Sequence, residues 1–175
     1  MPILMLLLMT LPVADLVSGP QPGRKLGPYT FLLSTGAHRG TSHCYVCETG
    51  NDPAVIILAR SNSVPLGKFI NQLEKQMDKP SKPELRAWVT FVGMDQPKKE
   101  PELIKWSKQT GIRKIPVGIF EGSSGPPGYK LHAEADLTIL LVRQGKVVHN
   151  FAFGAGKFSE TQGKEILSRI PDILK

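Results

Sequence analysis

Cys44 and Cys47 are the only two cysteines in the 175-residue chain, and two residues separate them in "SHCYVC". This spacing suits two kinds of chemistry: a dithiol that cycles with a disulfide, or half of a tetrahedral zinc site. His43 adjoins Cys44 and, when protonated, favours a thiolate beside it. A zinc set needs two further ligands, and His38, His132 and His149 are the candidates, since there is no second C-x-x-C and no H-x-x-x-H. Attachment of a c-type haem does not fit, because Glu48 stands where that motif requires His. A disulfide across so short a loop removes little unfolded-state entropy compared with a long-range bridge, so stability explains the pair poorly.

The elements that must position these residues read as alternating strand and helix patterns. Residues 28–35 ("PYTFLLST") read as a strand, followed by a polar, glycine-punctuated loop that holds both cysteines. In a loop ahead of a strand, the pair is expected to lack the help of a helix N-terminus. Residues 53–60 form a continuous β-branched and aliphatic run, the pattern of a strand buried on both faces. Leu66, Phe69, Ile70, Leu73 and Met77 then recur at the spacing of one helix face, closed by "KPSKP". Residues 85–93 read as a second buried strand. A helix is expected behind Pro101, through Leu103, Ile104 and Trp106, ending at Gly111. Residues 115–120 form another strand, and 137–153 two strands joined through Gln144-Gly145. The last helix opens on Ser159-x-x-Gln162, a capping box, and buries Ile166, Leu167, Ile170 and Leu174. Helices alternating with buried strands, then a hairpin and a closing helix, make a three-layer α/β domain.

A β-α-β core followed by a further helix, a hairpin and a final helix resembles the thioredoxin fold over residues 53–175. "LTILLVRQGKVV" is similar to that family's hairpin, while "GPYTFLLSTG" and "IPVGIF" look more like the redoxin and peroxiredoxin-like branch. The resemblance implies an α/β thioredoxin-like fold: a central mixed sheet flanked by helices, with an extra N-terminal strand. It also implies a reactive C-x-x-C after the first central strand, where the next helix N-terminus stabilises a thiolate. That place reads Ser63-Val64-Pro65-Leu66 here. Pro65 matches the family's proline, but Ser63 and Leu66 replace both cysteines. The family's cis-proline aligns with Leu137, and Pro116 is the rival register. With Leu137 in that place the standard active site is degenerate.

Three readings of the Cys44/Cys47 pair follow. In the first, it exchanges disulfides with a protein thiol partner; the more exposed thiol attacks and the other resolves, with Cys44, tuned by His43, expected to attack. In the second, the pair is a redox-silent clip, and the face formed by Ser63 to Leu66 against Leu137 is an apolar contact patch. In the third, it is a metal half-site. A pair beside Ser63–Leu66 and Leu137 would still use the old site, whereas the opposite end of the sheet would take most support from redox work.

Apolar content of 41% and charged content of 21% fit one ordinary core. The net charge of +7 comes without a Lys/Arg cluster longer than Lys98-Lys99 and without interleaved aromatic residues, so no nucleic-acid partner is expected. The apolar run 3–14 suits a signal-peptide core and is too short to span a bilayer, with Val17-Ser18-Gly19 the best cleavage site. Residues 1–19 are thus expected to be a signal peptide or short apolar leader, 20–27 a linker and 28–175 the thioredoxin-like domain. The protein is expected to be exported, without a membrane span in its mature part and with its cysteines in an oxidising compartment. No cofactor is expected: "EGSSGPPG" lacks the strand–loop–helix setting and the Lys of a phosphate loop. Trp88 and Trp106 read as core, His149 as an edge residue, and His132, Glu134 and Asp136 as a solvated turn.

Overall fold

The computed structural model describes residues 16–175 except 81, 82 and 94, so the apolar run 3–14 lies outside the described residues. The aliphatic run after Pro53 is a strand with all six residues buried. The structure adds two short edge strands and a short helix ahead of it. In chain order the strands are β1 (Phe31–Leu33), β2 (Ser42–His43), β3 (Ala54–Ala59), β4 (Arg86–Val92), β5 (Val117–Phe120), β6 (Ala135–Arg143) and β7 (Lys146–Gly154). The helices are α1 (Tyr45–Thr49), α2 (Val64–Met77), α3 (Gln96–Thr110) and α4 (Glu160–Arg169).

One mixed sheet results, in the order β2-β1-β5-β4-β3-β6-β7. β3, β4 and β5 run parallel, while β6 lies antiparallel to β3 and β1 antiparallel to β5. β6 and β7 form the expected hairpin, turning at Gln144 (φ 52°) and Gly145 (φ 68°). Two successive left-handed residues match the twist of the flanking strands, which is why this turn closes a two-residue hairpin.

Both crossovers, through α2 and through α3, pass the same way along the sheet and so fall on one face. There Leu66, Phe69, Ile70 and Leu73 of α2 meet Leu103 and Trp106 of α3 and Ile166 of α4, over Ile57, Val89 and Ile139. The other face carries Ile56, Leu58, Trp88 and Leu140, and is covered by Leu26, Tyr29, Tyr129 and the side chains of α1.

Two expectations change. α3 begins at Gln96 rather than behind Pro101, because Pro97 takes the first-turn place where a missing N–H is harmless. Pro101 lies inside the helix, and the carbonyl it leaves without a donor is that of Pro97, in the same early turns. Residues 20–27, read as a linker, hold to the edge of the sheet. Gly23 N–H donates to Val147 O at 2.8 Å, Val147 N–H to Arg24 O at 3.0 Å, and Leu26 N–H to Gly145 O at 2.9 Å. Ser18 is also buried, its Oγ 2.8 Å from Thr138 Oγ1.

Two buried polar groups tie the layers together. Glu74 of α2 is 7% exposed, and its Oε1 accepts the N–H groups of Arg113, Lys114 and Ile115 at 2.9, 2.6 and 2.9 Å. Glu74→Ala, which strands these donors, should lower stability to urea by about 2–4 kcal/mol, and Glu74→Gln, which keeps an acceptor, by clearly less. Tyr29 Oη lies 2.9 Å from Thr90 Oγ1 and accepts the indole N–H of Trp88 at 2.9 Å. Burial, only partly offset by these bonds, pushes its phenol up from 10.0 to about 12. The unfolded chain therefore ionises first: this stabilisation is complete below pH 10 and is lost as pH rises from 10 to 12. Unfolding free energies across that window should fall by roughly 2–3 kcal/mol more than in Tyr29→Phe.

Candidate functional site

Cys44 and Cys47 form a disulfide, with their Cα atoms 5.4 Å apart. They do not lie in an open loop as expected. Cys44 is the N-cap of α1, and its Sγ accepts the N–H of Cys47 at 3.3 Å. Gly50, at φ 56°, ends the helix. Five residues carry little macrodipole, so what α1 offers Cys44 is this single local N–H. The helix is also too short to show a hydrophobic period. What holds it is Tyr45, whose ring stacks on Trp88 at 5.6 Å and lies 5.9 Å from Phe31.

The two residues differ in access: Cys47 is exposed and Cys44 half-buried. His43 Nε2 lies 2.6 Å from Glu48 Oε2, so the residues flanking the pair are joined across it. The His43 ring stacks on His38 at 5.5 Å and leans on Tyr45 at 4.4 Å. Partial burial, then the negative charge of Glu48, raises the Tyr45 phenol above its ordinary value, so it is neutral across the physiological range. Among the described residues no group of three or more His, Cys, Asp or Glu side chains is arranged to hold a metal ion. His149 on β7 bonds Asp172 at 2.9 Å, and His132 Nδ1 accepts the N–H of Glu134.

The Ser63–Leu66 position, where the resemblance implies a dithiol, is well formed as structure. Ser63 caps α2, its Oγ accepting the N–H of Leu66 at 3.2 Å, and Pro65 sits in the first turn. Ser63, Pro65, Leu66 and Leu137 line one cavity of about 170 Å3, together with Ser61 and Asp136, which are bonded to each other at 2.6 Å. Next to it Val64 is 66% exposed. Pro116 belongs to a different cavity, beside Gly36 and Trp88.

The structure does not bring the cysteines to this position. Followed across the sheet, His43 is level with Phe31, Phe120, Val92 and Arg60, so the pair lies towards the strand ends from which α2 departs. It is displaced sideways, however, from β3 to β2, four strands or roughly 19 Å at the usual spacing. It is also on the other face: Tyr45 and Val46 pack with Phe31 and Trp88, whereas Leu66 and Leu137 pack on the α2 side. The pair is therefore at the same end of the sheet as Ser63–Leu66 and Leu137 but does not join them.

The architecture is shared with solved proteins. A protein assigned as a protein disulfide isomerase from Bacteroides thetaiotaomicron aligns over 91% of this chain and 94% of its own, with a TM-score of 0.67 at 16% identity. The chain has a thioredoxin-like fold. A protein assigned as the thiol:disulfide interchange protein DsbE from Chlorobium tepidum aligns over 92% of this chain and 100% of its own, with a TM-score of 0.62 at 14% identity. Peroxidoxin BcpB from Mycobacterium tuberculosis aligns over 89% and 99%, with a TM-score of 0.60 at 12% identity. No protein-family model matches the sequence, and no curated protein matches it. Within this thioredoxin-like domain, among the described residues, no helix is long and apolar enough to cross a membrane.

Proposed function

We propose that this thioredoxin-fold protein exchanges disulfides with protein partners through Cys44 and Cys47, apart from the fold's usual site. The observation that carries the reading is the asymmetry of the pair: an exposed Cys47 bonded to a half-buried Cys44 whose sulfur receives a backbone N–H. A partner thiolate attacks Cys47 Sγ, forming a mixed disulfide and releasing Cys44 as a thiolate. The Cys47 N–H stabilises that leaving sulfur. A second partner thiolate then attacks the partner's own sulfur in the mixed disulfide. It leaves as a partner disulfide, and Cys47 departs as a thiolate. Two electrons have passed from partner to protein; the reverse sequence reduces a partner, with Cys47 attacking and Cys44 resolving. This exchanges the roles expected from the position of His43, which bonds Glu48. Export belongs to the proposal too, supported by the apolar run 3–14 and by a disulfide that an oxidising compartment preserves.

One observation favours a second reading, the redox-silent module. Val64 is exposed beside the cavity shared by Ser63, Leu66 and Leu137, as a partner-binding patch would be.

Titration with a glutathione or dithiothreitol series separates the two readings. Exchange requires the bond to open with the fold intact, at a potential above about −300 mV, the usual limit of structural bridges. A bond that resists until the chain unfolds leaves only the clip. The asymmetry has its own check. Cys44→Ser, which leaves the exposed thiol, should form a mixed disulfide with an aromatic disulfide reagent several-fold faster than Cys47→Ser. Equal rates would remove the asymmetry on which the reading rests, and the reverse order would return the attacking role to Cys44.

A further inference from the structure

A cavity of about 270 Å3 lies where the end of β1 meets α3 and the turn into β5, and neither cysteine lines it. Ser34, Ser107, Arg39, Lys108 and Arg113 line it, and Ile104 and Ile112 give it an apolar wall. Ser34 and Ser107 are 1% and 3% exposed, and among the described residues neither hydroxyl has a hydrogen-bond partner. An orphaned buried hydroxyl opposes folding. A helical Ser or Thr ordinarily bonds a carbonyl one turn back, as Thr110 on the same helix does to Trp106 O at 2.8 Å. Ser107 leaves that bond unmade.

The charged side chains that line the cavity, Arg39, Lys108 and Arg113, are all cations. Among the described residues Lys108 and Arg113 form no ion pair, and Arg39 meets only Glu100, at 3.5 Å. Glu100 beside Arg39, and Glu74 on the N–H groups of Arg113 and Ile115, set two carboxylates against the three cations. The side chains of Lys108 and Arg113 remain the two without an ion-pair partner among the described residues. Those two side chains suit a phosphate dianion, whose three oxygens use two cationic groups and two hydroxyl donors together. A carboxylate offers one charge and fewer acceptor sites. The isoleucines take a short carbon skeleton.

We propose that this cavity binds a small phosphate monoester. Lys108 and Arg113 hold the phosphate at the rim, and Ser34 and Ser107 reach it from the floor by rotation about χ1, a change between staggered wells. The site stands independently of the thiol chemistry.

The full chain is titrated with glycerol 3-phosphate, inorganic phosphate and glycerate at constant ionic strength, followed by calorimetry and thermal melting. Both phosphates should bind saturably, and glycerate more weakly. Lys108→Gln/Arg113→Gln should weaken phosphate binding roughly tenfold or more, as loss of charge-assisted contacts implies, while Lys146→Gln/Lys164→Gln, which removes the same charge elsewhere, should not. Ser107→Ala should melt no lower than the parent without ligand, its hydroxyl being orphaned, yet bind phosphate more weakly. Three results would overturn the proposal: equal affinity in the Lys108/Arg113 double variant, glycerate binding as tightly as the phosphates, or only a non-saturable effect shared by chloride.

Discussion

The central strand has no solvent face, and both of its sides must be covered by something. All six residues of β3 are buried, between β4 and β6. The right-handed crossovers send α2 and α3 to one side, and α4 joins them there. Trp88, Ile56 and Leu140 on the other side are left to whatever chain remains: the residues before β1, the loop around Tyr129, and α1. The cover is largely aromatic, with Tyr29 stacked on Phe31 at 5.6 Å, edge-on to Tyr129 at 5.2 Å, and Tyr45 on Trp88. A five-residue helix does not persist in water on its own, so α1 exists because Tyr45 and Val46 are needed on this face. The position of the cysteines follows from that need.

The same constraint sets what each place can do chemically. At the head of α2 a dithiol would sit on a 14-residue helix, with several free N–H groups aimed at it. In this chain Ser63 caps that helix, and Leu66, 1% exposed, is part of the core. At the head of α1 a sulfur receives one N–H. In exchange Cys47 faces solvent, so a partner reaches it without entering a cleft. Closing a four-residue loop stabilises the fold by about 2 kcal/mol through chain entropy. That is a minor share of the 5–15 kcal/mol usual for a domain. The bond thus contributes to stability, but its size does not decide what it is for.

What was legible in the sequence is what long periodic patterns write. The doubly buried run of β3, the i, i+3, i+4 face from Leu66 to Met77, the Gln144-Gly145 turn and the Ser159–Gln162 capping box all appear where they were read. α1 was not legible, because it has no period of its own and depends on a Trp88 forty-odd residues away in the chain. The start of α3 was read too late, at Pro101, because a proline suits a first helical turn and Pro97, which holds that place, lies in a stretch without apolar residues to mark a helix face. Ser34 and Ser107 gave no sign at all. Their interest is a missing partner, which exists only once β1, α3 and the turn into β5 have come together.

The edges of the sheet show the same dependence of local structure on distant chain. An edge strand offers unpaired N–H and C=O groups, and a long open one recruits other chains. β2 answers this by being two residues long. β7 is nine residues long and cannot. Instead Gly23 and Leu26 donate to Val147 and Gly145, Arg24 accepts from Val147, and Asn150 reaches the carbonyls of Ser18 and Pro20 at 2.8 and 2.9 Å. Proline and glycine in this stretch forbid regular structure, which is why it reads as a tether. Irregular backbone is nonetheless what can turn some N–H and C=O groups to one strand and leave others to water. The segment before β1 is therefore part of the fold's edge, and the packing that includes the α1 face extends at least to Ser18.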